Sequence, residues 1–137
     1  MEFYDFPHRV TYAETDKMGF VYYANYLVYF EIGRTELIRA SGLAYSELED
    51  MDYNLPVIEE SARYHKPARY DDLLTIRTWV SEFKGIRLGF KYEILRDDTV
   101  LAEGATLHAF MDKDGRPRKL STEIKEKLAG LIEKGQK

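Results

Sequence analysis

Between positions 55 and 112 apolar and polar residues alternate with a period of two, in four runs covering 55–66, 73–84, 86–95 and 100–112. Each run predicts a strand. In the clearest, Ile86, Leu88, Phe90, Tyr92 and Ile94 alternate with Arg87, Gly89, Lys91 and Glu93, giving one apolar and one mostly polar face. Lys84-Gly85 and Asp97-Asp98 mark tight reversals between long neighbours, so the pairing is expected to be antiparallel. Upstream, Phe3, Tyr4, Phe6, Val10 and Tyr12 predict a first strand over 3–13. Pro7 confines its start to a sheet edge or an irregular lead-in.

From 24 to 40 the period becomes helical. Tyr26, Leu27, Val28, Tyr29, Phe30 and Ile32 point in every direction, so the first half of this helix is expected to be buried all round. The second half keeps Leu37 and Ile38 on one side, with Glu36 and two arginines, Arg34 and Arg39, on the other; Ser41-Gly42 stops it. Gly33 inside the helix costs about 1 kcal/mol relative to Ala, so a close contact with a sheet is expected there. A short helical turn over 45–51 follows. Asp112-Lys113-Asp114-Gly115 closes the last strand and Pro117 keeps the connection extended. Ile124, Leu128, Leu131 and Ile132 then predict a terminal amphipathic helix, with Glu123 in its first turn.

The fold class is therefore α+β: a five-stranded antiparallel sheet curled around one long helix, plus a C-terminal helix. Five strands cannot wrap that helix and also hide both sheet edges, so dimerisation is expected.

The 137 residues suit a single domain over 1–137. Hydrophobic residues at 45% and charged residues at 32% exclude a disordered chain. Net charge is −4 with no cluster of Lys and Arg, which removes the electrostatic footprint of a nucleic-acid binder. Cysteine is absent, and with it disulfides, thiolate metal sites and Cys nucleophiles. The stretch 1–9 lacks an apolar signal core, and no apolar run approaches the roughly 20 residues of a membrane span, so the cytoplasm is the expected location. Two Asn and one Gln beside many Lys, Arg and Glu fit a pattern seen in thermophiles. Tyrosine is common at 11; β-propensity would put most of these in strands, whereas a pocket or subunit contact would use them in another way.

The chemistry concentrates at Thr15-Asp16, Gly19 and the run 21–26, which set one carboxylate just before the start of the long helix. The first N–H groups of a helix lack intrahelical partners and carry partial positive charge, so they can hold a developing oxyanion without Lys or Arg. A thioester carbonyl would suit such a place. Asp16, one short loop upstream, would act on the same carbon as nucleophile or by activating water. The plainer role for Asp16 is to cap its own turn, and Gly19 supplies the backbone angle that delivers it.

Other chemistries find less support. His8, His65 and His108 form no metal-ligand pattern. The serines lack a nucleophile elbow, and Glu59-Glu60 would face opposite ways on a strand.

The run 12–27, from Tyr12-Ala13-Glu14-Thr15-Asp16 through Gly19 to Tyr22-Tyr23-Ala24-Asn25-Tyr26-Leu27, together with Arg34-Thr35-Glu36, resembles acyl-CoA thioesterases of the 4-hydroxybenzoyl-CoA thioesterase type. Lys66-Pro67-Ala68-Arg69-Tyr70-Asp71-Asp72 resembles that family's lead into its third strand. The resemblance implies the hotdog fold, dimers that often pair into tetramers, and active sites at the dimer interface. It puts the catalytic aspartate on Asp16 and the carbonyl-polarising amide on Tyr23, with Thr15 and Asn25 beside them to hold the loop or a bound water.

No cofactor is implied. Coenzyme A, or an acyl carrier protein, is the carrier part of a small or medium acyl substrate, and water is the acceptor. Lys66, Arg69, Lys84 and Arg87 are candidates for the coenzyme A phosphates, with solvated surface charge as the plain alternative. A hotdog hydratase or dehydratase would instead need His65 or His108 beside the carboxylate. A non-catalytic acyl-ligand-binding module is the third reading.

Overall fold

The computed structural model describes residues 3–135, apart from the side chains of Tyr45 and of residues 131–135. Its elements are β1 (Tyr4–Arg9), a 3-10 turn (Tyr12–Glu14), α1 (Asn25–Ala40), α2 (Tyr45–Asp50), β2 (Val57–Tyr64), β3 (Leu73–Lys84), β4 (Arg87–Arg96), β5 (Thr99–Ala109) and α3 (Thr122–Gly135). The strands form one antiparallel sheet in the order β1-β3-β4-β5-β2.

Two-residue loops build the centre of this sheet. Lys84 pairs with Arg87 and Arg96 with Thr99, so the second reversal falls at Asp97-Asp98 as expected, while the first falls at Gly85-Ile86, one residue later than the expected Lys84-Gly85, because Lys84 still belongs to the ladder. Gly85 (φ +61°) and Asp97 (φ +54°) supply the left-handed backbone such turns need. Pro7 lies opposite Thr75 on β1, at one sheet edge, where its missing N–H leaves no ladder bond unmade.

β2 is the other edge. All of its residues except Ala62 are exposed, including Val57, Ile58 and Tyr64. The first strand ends at Arg9 rather than 13, because Thr11 enters the 3-10 turn and its N–H binds the Glu14 side chain.

α1 lies against the concave face of the sheet. Tyr26, Tyr29, Phe30, Leu37 and Ile38 are buried there, and Phe30 stacks on Tyr92 with ring centroids 4.5 Å apart. Gly33 makes the expected close approach: a Cβ on it would lie 2.2 Å from Thr78 Oγ1 and 2.8 Å from Ile76 Cγ2. Gly104 opens the same kind of space for the Phe30 ring. Leu120, Ile124 and Leu128 extend the core below β3, and the expected contributions of Leu131 and Ile132 lie outside the described residues.

Two expectations for α1 are corrected. Val28 is 51% exposed, so the first half is not enclosed on every side within this chain. Arg34 is buried rather than on a wet face, close enough to Tyr92 and His108 for its charge to act on both. The tyrosines are corrected too, since among the 11 only Tyr4, Tyr64 and Tyr92 lie in strands. No described helix is long and apolar enough to cross a membrane.

Candidate functional site

Residues 15–21 form a loop closed by a Thr15–Val21 bridge and turned by Gly19 at φ +80°. Its backbone is tied at both ends. Asp16 N–H donates to the Phe20 carbonyl (2.8 Å), Gly19 N–H to the Asp16 carbonyl (3.0 Å), and Val21 N–H to the Ala68 carbonyl (2.8 Å) between β2 and β3. Asp16 does cap this turn: its Oδ1 accepts the amides of Met18 (2.8 Å) and Phe20 (3.2 Å). Among the described residues no donor reaches Oδ2, so half of the carboxylate is left for chemistry.

The helix start is equally open. Ala24 occupies the N-cap, where it has no side-chain oxygen to close the first amides. Among the described residues the N–H groups of Tyr23 and Ala24 donate to no acceptor. Asp16 and Tyr23 line one cavity of about 360 Å³, within the range of small-ligand sites, together with Phe20, Val21, Tyr26, Tyr64, His65, Lys66 and Pro67. Tyr64 donates its hydroxyl to the Tyr23 carbonyl at 3.1 Å, and its ring meets that of Tyr26 edge-on. Burial pushes the Tyr26 and Tyr64 phenols above their ordinary pKa, so both stay neutral.

The remaining sequence candidates divide. Lys66 joins Asp16 in the cavity. Arg69 stands at its margin, with the guanidinium 4.6 Å from the centre of the Phe20 ring. Thr15 and Asn25 are committed to the loop: Thr15 Oγ1 donates to the Tyr12 carbonyl (2.7 Å) and Asn25 Nδ2 to the Glu14 carbonyl (2.8 Å). Arg87 lines a different cavity, with Ser61, Lys91 and Ala105. Gly104 faces Phe30 of α1, so Ala105 and its partners Ser61 and Lys91 face away from the helix. Within this chain Arg87 is not brought to Asp16, and Lys84 is exposed and absent from both linings.

Of the histidines, His65 lines the Asp16 cavity and sits 2.7 Å from Glu103 Oε2. His108 is fully buried between Thr106 and the Leu55 carbonyl; burial, with the nearby Arg34 charge, pulls its pKa down to about 4 and keeps it neutral. Among the described residues no group of three His, Asp or Glu is arranged to hold a metal ion.

Glu14 escaped sequence reasoning. Its Oε1 accepts the Thr11 amide (2.9 Å) and the Tyr29 hydroxyl (3.2 Å), while His8 Nε2 lies 3.0 Å from Oε2. The Thr-x-x-Glu spacing at 11–14 is a capping-box signal and could have found it.

The profile of the thioesterase-like superfamily matches residues 10–129. The chain is 40% identical over 106 residues, 77% of each chain, to a Bacillus subtilis protein named "Putative acyl-CoA thioesterase YneP". It is 36% identical over 110 residues to acyl-CoA thioesterase YbgC of Haemophilus influenzae, covering 80% of this chain and 81% of that one. The solved structure of DHNA-CoA thioesterase from Staphylococcus aureus superimposes with a TM-score of 0.92 at 28% identity, over 97% of this chain and 93% of the other. The family match over 10–129 includes both the Asp16 loop and the α1 start.

Proposed function

The chain belongs to the thioesterase-like superfamily, and on that premise we propose that it hydrolyses the thioester of a small or medium acyl-CoA to the free acid and coenzyme A. The observation that carries the site assignment is that one cavity is lined both by Asp16, whose Oδ2 accepts no donor among the described residues, and by Tyr23, whose amide is unpaired there. The thioester oxygen takes the Tyr23 N–H at the uncapped helix start, where the dipole favours the charge it gains. Asp16 then either attacks the carbonyl carbon or removes a proton from a water that does. Attack by Asp16 leaves a mixed anhydride that water then cleaves, restoring the carboxylate, whereas attack by water gives the acid directly. In both routes the C–S bond breaks with its electron pair on sulfur, which takes up a proton and leaves as the thiol. The ring faces of Phe20, Tyr26 and Tyr64 shape the acyl side, and Lys66, with Arg69 at the margin, meets the anionic carrier.

The proposal includes a homodimer, paired again into a tetramer, and a cytoplasmic location. The exposed edge of β2 and the exposed Met18, Tyr22, Tyr23 and Val28 around the helix start support the dimer. Sedimentation equilibrium tests it: a mass of two or four chains agrees and a single chain does not. The absence of cysteine and the coenzyme A substrate support the location.

A hydratase or dehydratase is the second reading, favoured by one observation: His65 shares the cavity with Asp16. A panel of acyl-CoA, enoyl-CoA and acyl carrier protein thioesters, read for free thiol and for hydration, separates the readings. Thiol release by the wild type, reduced at least about 100-fold in kcat by Asp16→Asn with substrate binding retained, is the expected result. Hydration without thiol release would overturn it, as would binding without turnover.

A further inference from the structure

We propose that Glu14 is a positioning residue for Asp16, a role that rests on Asp16 being the catalytic carboxylate. Glu14 sits two residues before Asp16, yet its hydrogen bonds reach three separate elements. The carboxylate binds His8 from β1, the Thr11 amide at the head of the 3-10 turn, and the Tyr29 hydroxyl from the second turn of α1. Its carbonyl accepts the Tyr22 amide (2.9 Å), three residues before α1, and the Nδ2 of Asn25 (2.8 Å), the first residue of α1. One residue therefore fixes where the Asp16 loop begins and where the helix N-terminus lies relative to it.

A group needed only for packing would not require a charge at this place. Burial raises the pKa of Glu14, but the Thr11 amide and the His8 and Tyr29 side chains outweigh it and hold the carboxylate ionised. Tyr29 is fully buried in the core, so the clamp refers the loop to a rigid body rather than to another loop. A misplacement of about 1 Å at the reacting carboxylate is enough to cost about 100-fold in rate. Glu14 itself needs no contact with substrate to control turnover.

The experiment is a double-mutant cycle on kcat per folded protein, with Glu14→Gln, Asp16→Asn and the double variant. Glu14→Gln keeps an acceptor oxygen for Thr11 or Tyr29 but loses the charge facing His8. It should lower kcat about 10-fold with KM within about 3-fold, since binding groups are untouched. In the Asp16→Asn background the same change should cost nothing further. An equal loss in both backgrounds, or a kcat within about 2-fold of wild type, overturns the proposal. Asp16→Asn alone reports separately on the catalytic reading: if it retains activity, that reading fails and Glu14 has nothing to position. Should Glu14→Gln not fold, Tyr29→Phe removes one bond of the clamp and enters the same cycle, with about a 3-fold loss expected only when Asp16 is present.

Discussion

Replacing Gly33 by Ala sets two effects of opposite sign against each other. Helix propensity alone favours Ala by about 1 kcal/mol, so in isolation α1 would be stabilised. The sheet opposes this. The new methyl would stand 2.2 Å from Thr78 Oγ1 and 2.8 Å from Ile76 Cγ2, both inside any real carbon contact. Neither neighbour has room to retreat, because Thr78 and Ile76 are completely buried, β-branched and held in paired positions of β3.

Overpacking of this kind costs about 1–3 kcal/mol, and two sub-contact distances on stiff side chains call for the upper end. The net expectation is a loss of about 2 kcal/mol, which for a domain of this size lowers Tm by roughly 6–10 °C. Urea unfolding should show the midpoint falling with an unchanged slope. Thr78→Ala then supplies an internal control. It removes the nearer atom, an oxygen with no hydrogen-bond partner among the described residues, so its own cost in lost bonding is small and it should rescue part of the Gly33→Ala loss. Ile76 keeps the rescue incomplete. A Gly33→Ala protein as stable as the wild type, or more so, would refute the close helix–sheet contact.

His108 gives a prediction in pH. Its pKa falls from the ordinary 6.5 to about 4 on folding, so between these values the unfolded chain binds more protons and stability drops as pH falls, by at most about 3 kcal/mol. Chemical denaturation of His108→Gln from pH 7 to 4 should show a flatter slope; an unchanged slope would remove His108 as the cause. At the candidate site, Lys66→Ala should raise KM for acyl-CoA about 10-fold, the loss of roughly one charge-assisted hydrogen bond, while Arg87→Ala stays within about 2-fold. Steady-state kinetics with one acyl-CoA decides this, and equal effects of the two would disagree with their separation in the fold.

Much of the architecture was legible because local rules and tertiary demands coincide in this chain. Period-two runs fixed four strands to within three residues at each end, and Gly85 and Asp97 adopt the left-handed backbone that their turns require. Gly33 announced its contact by being a poor helix residue in a helical run. Failures occurred where a residue answers to something outside its own element. Arg34 follows the polar stripe of α1 in periodicity but is buried beside Tyr92 and His108 on β4 and β5, which no spacing along α1 reveals.

Val28 reads as core from its apolar side chain, yet it is exposed in the single chain. Three of the tyrosines serve the candidate site: Tyr23, Tyr26 and Tyr64 line one cavity from three different segments, Tyr64 from a strand. At the candidate site Asp16 could be singled out because a short loop before a helix start is a local motif, whereas Tyr23 was placed only through the family resemblance. Lys66 and His65 join it from the end of β2, where both amides bind the Leu101 carbonyl of β5, and within this chain Arg87 on β4 lines a different cavity.

The proposed hydrolysis requires the Asp16 carboxylate and the Tyr23 amide to converge on one carbonyl. A crystal structure with an acyl-CoA analogue in which a methylene replaces the thioester sulfur tests it directly, because the carbonyl survives and cannot be cleaved. The carbonyl oxygen should lie about 3 Å from Tyr23 N, with Asp16 Oδ2, or a water bound to it, about 3.5 Å from the carbonyl carbon. A carbonyl seated away from the start of α1, with Asp16 facing bulk solvent, would contradict it.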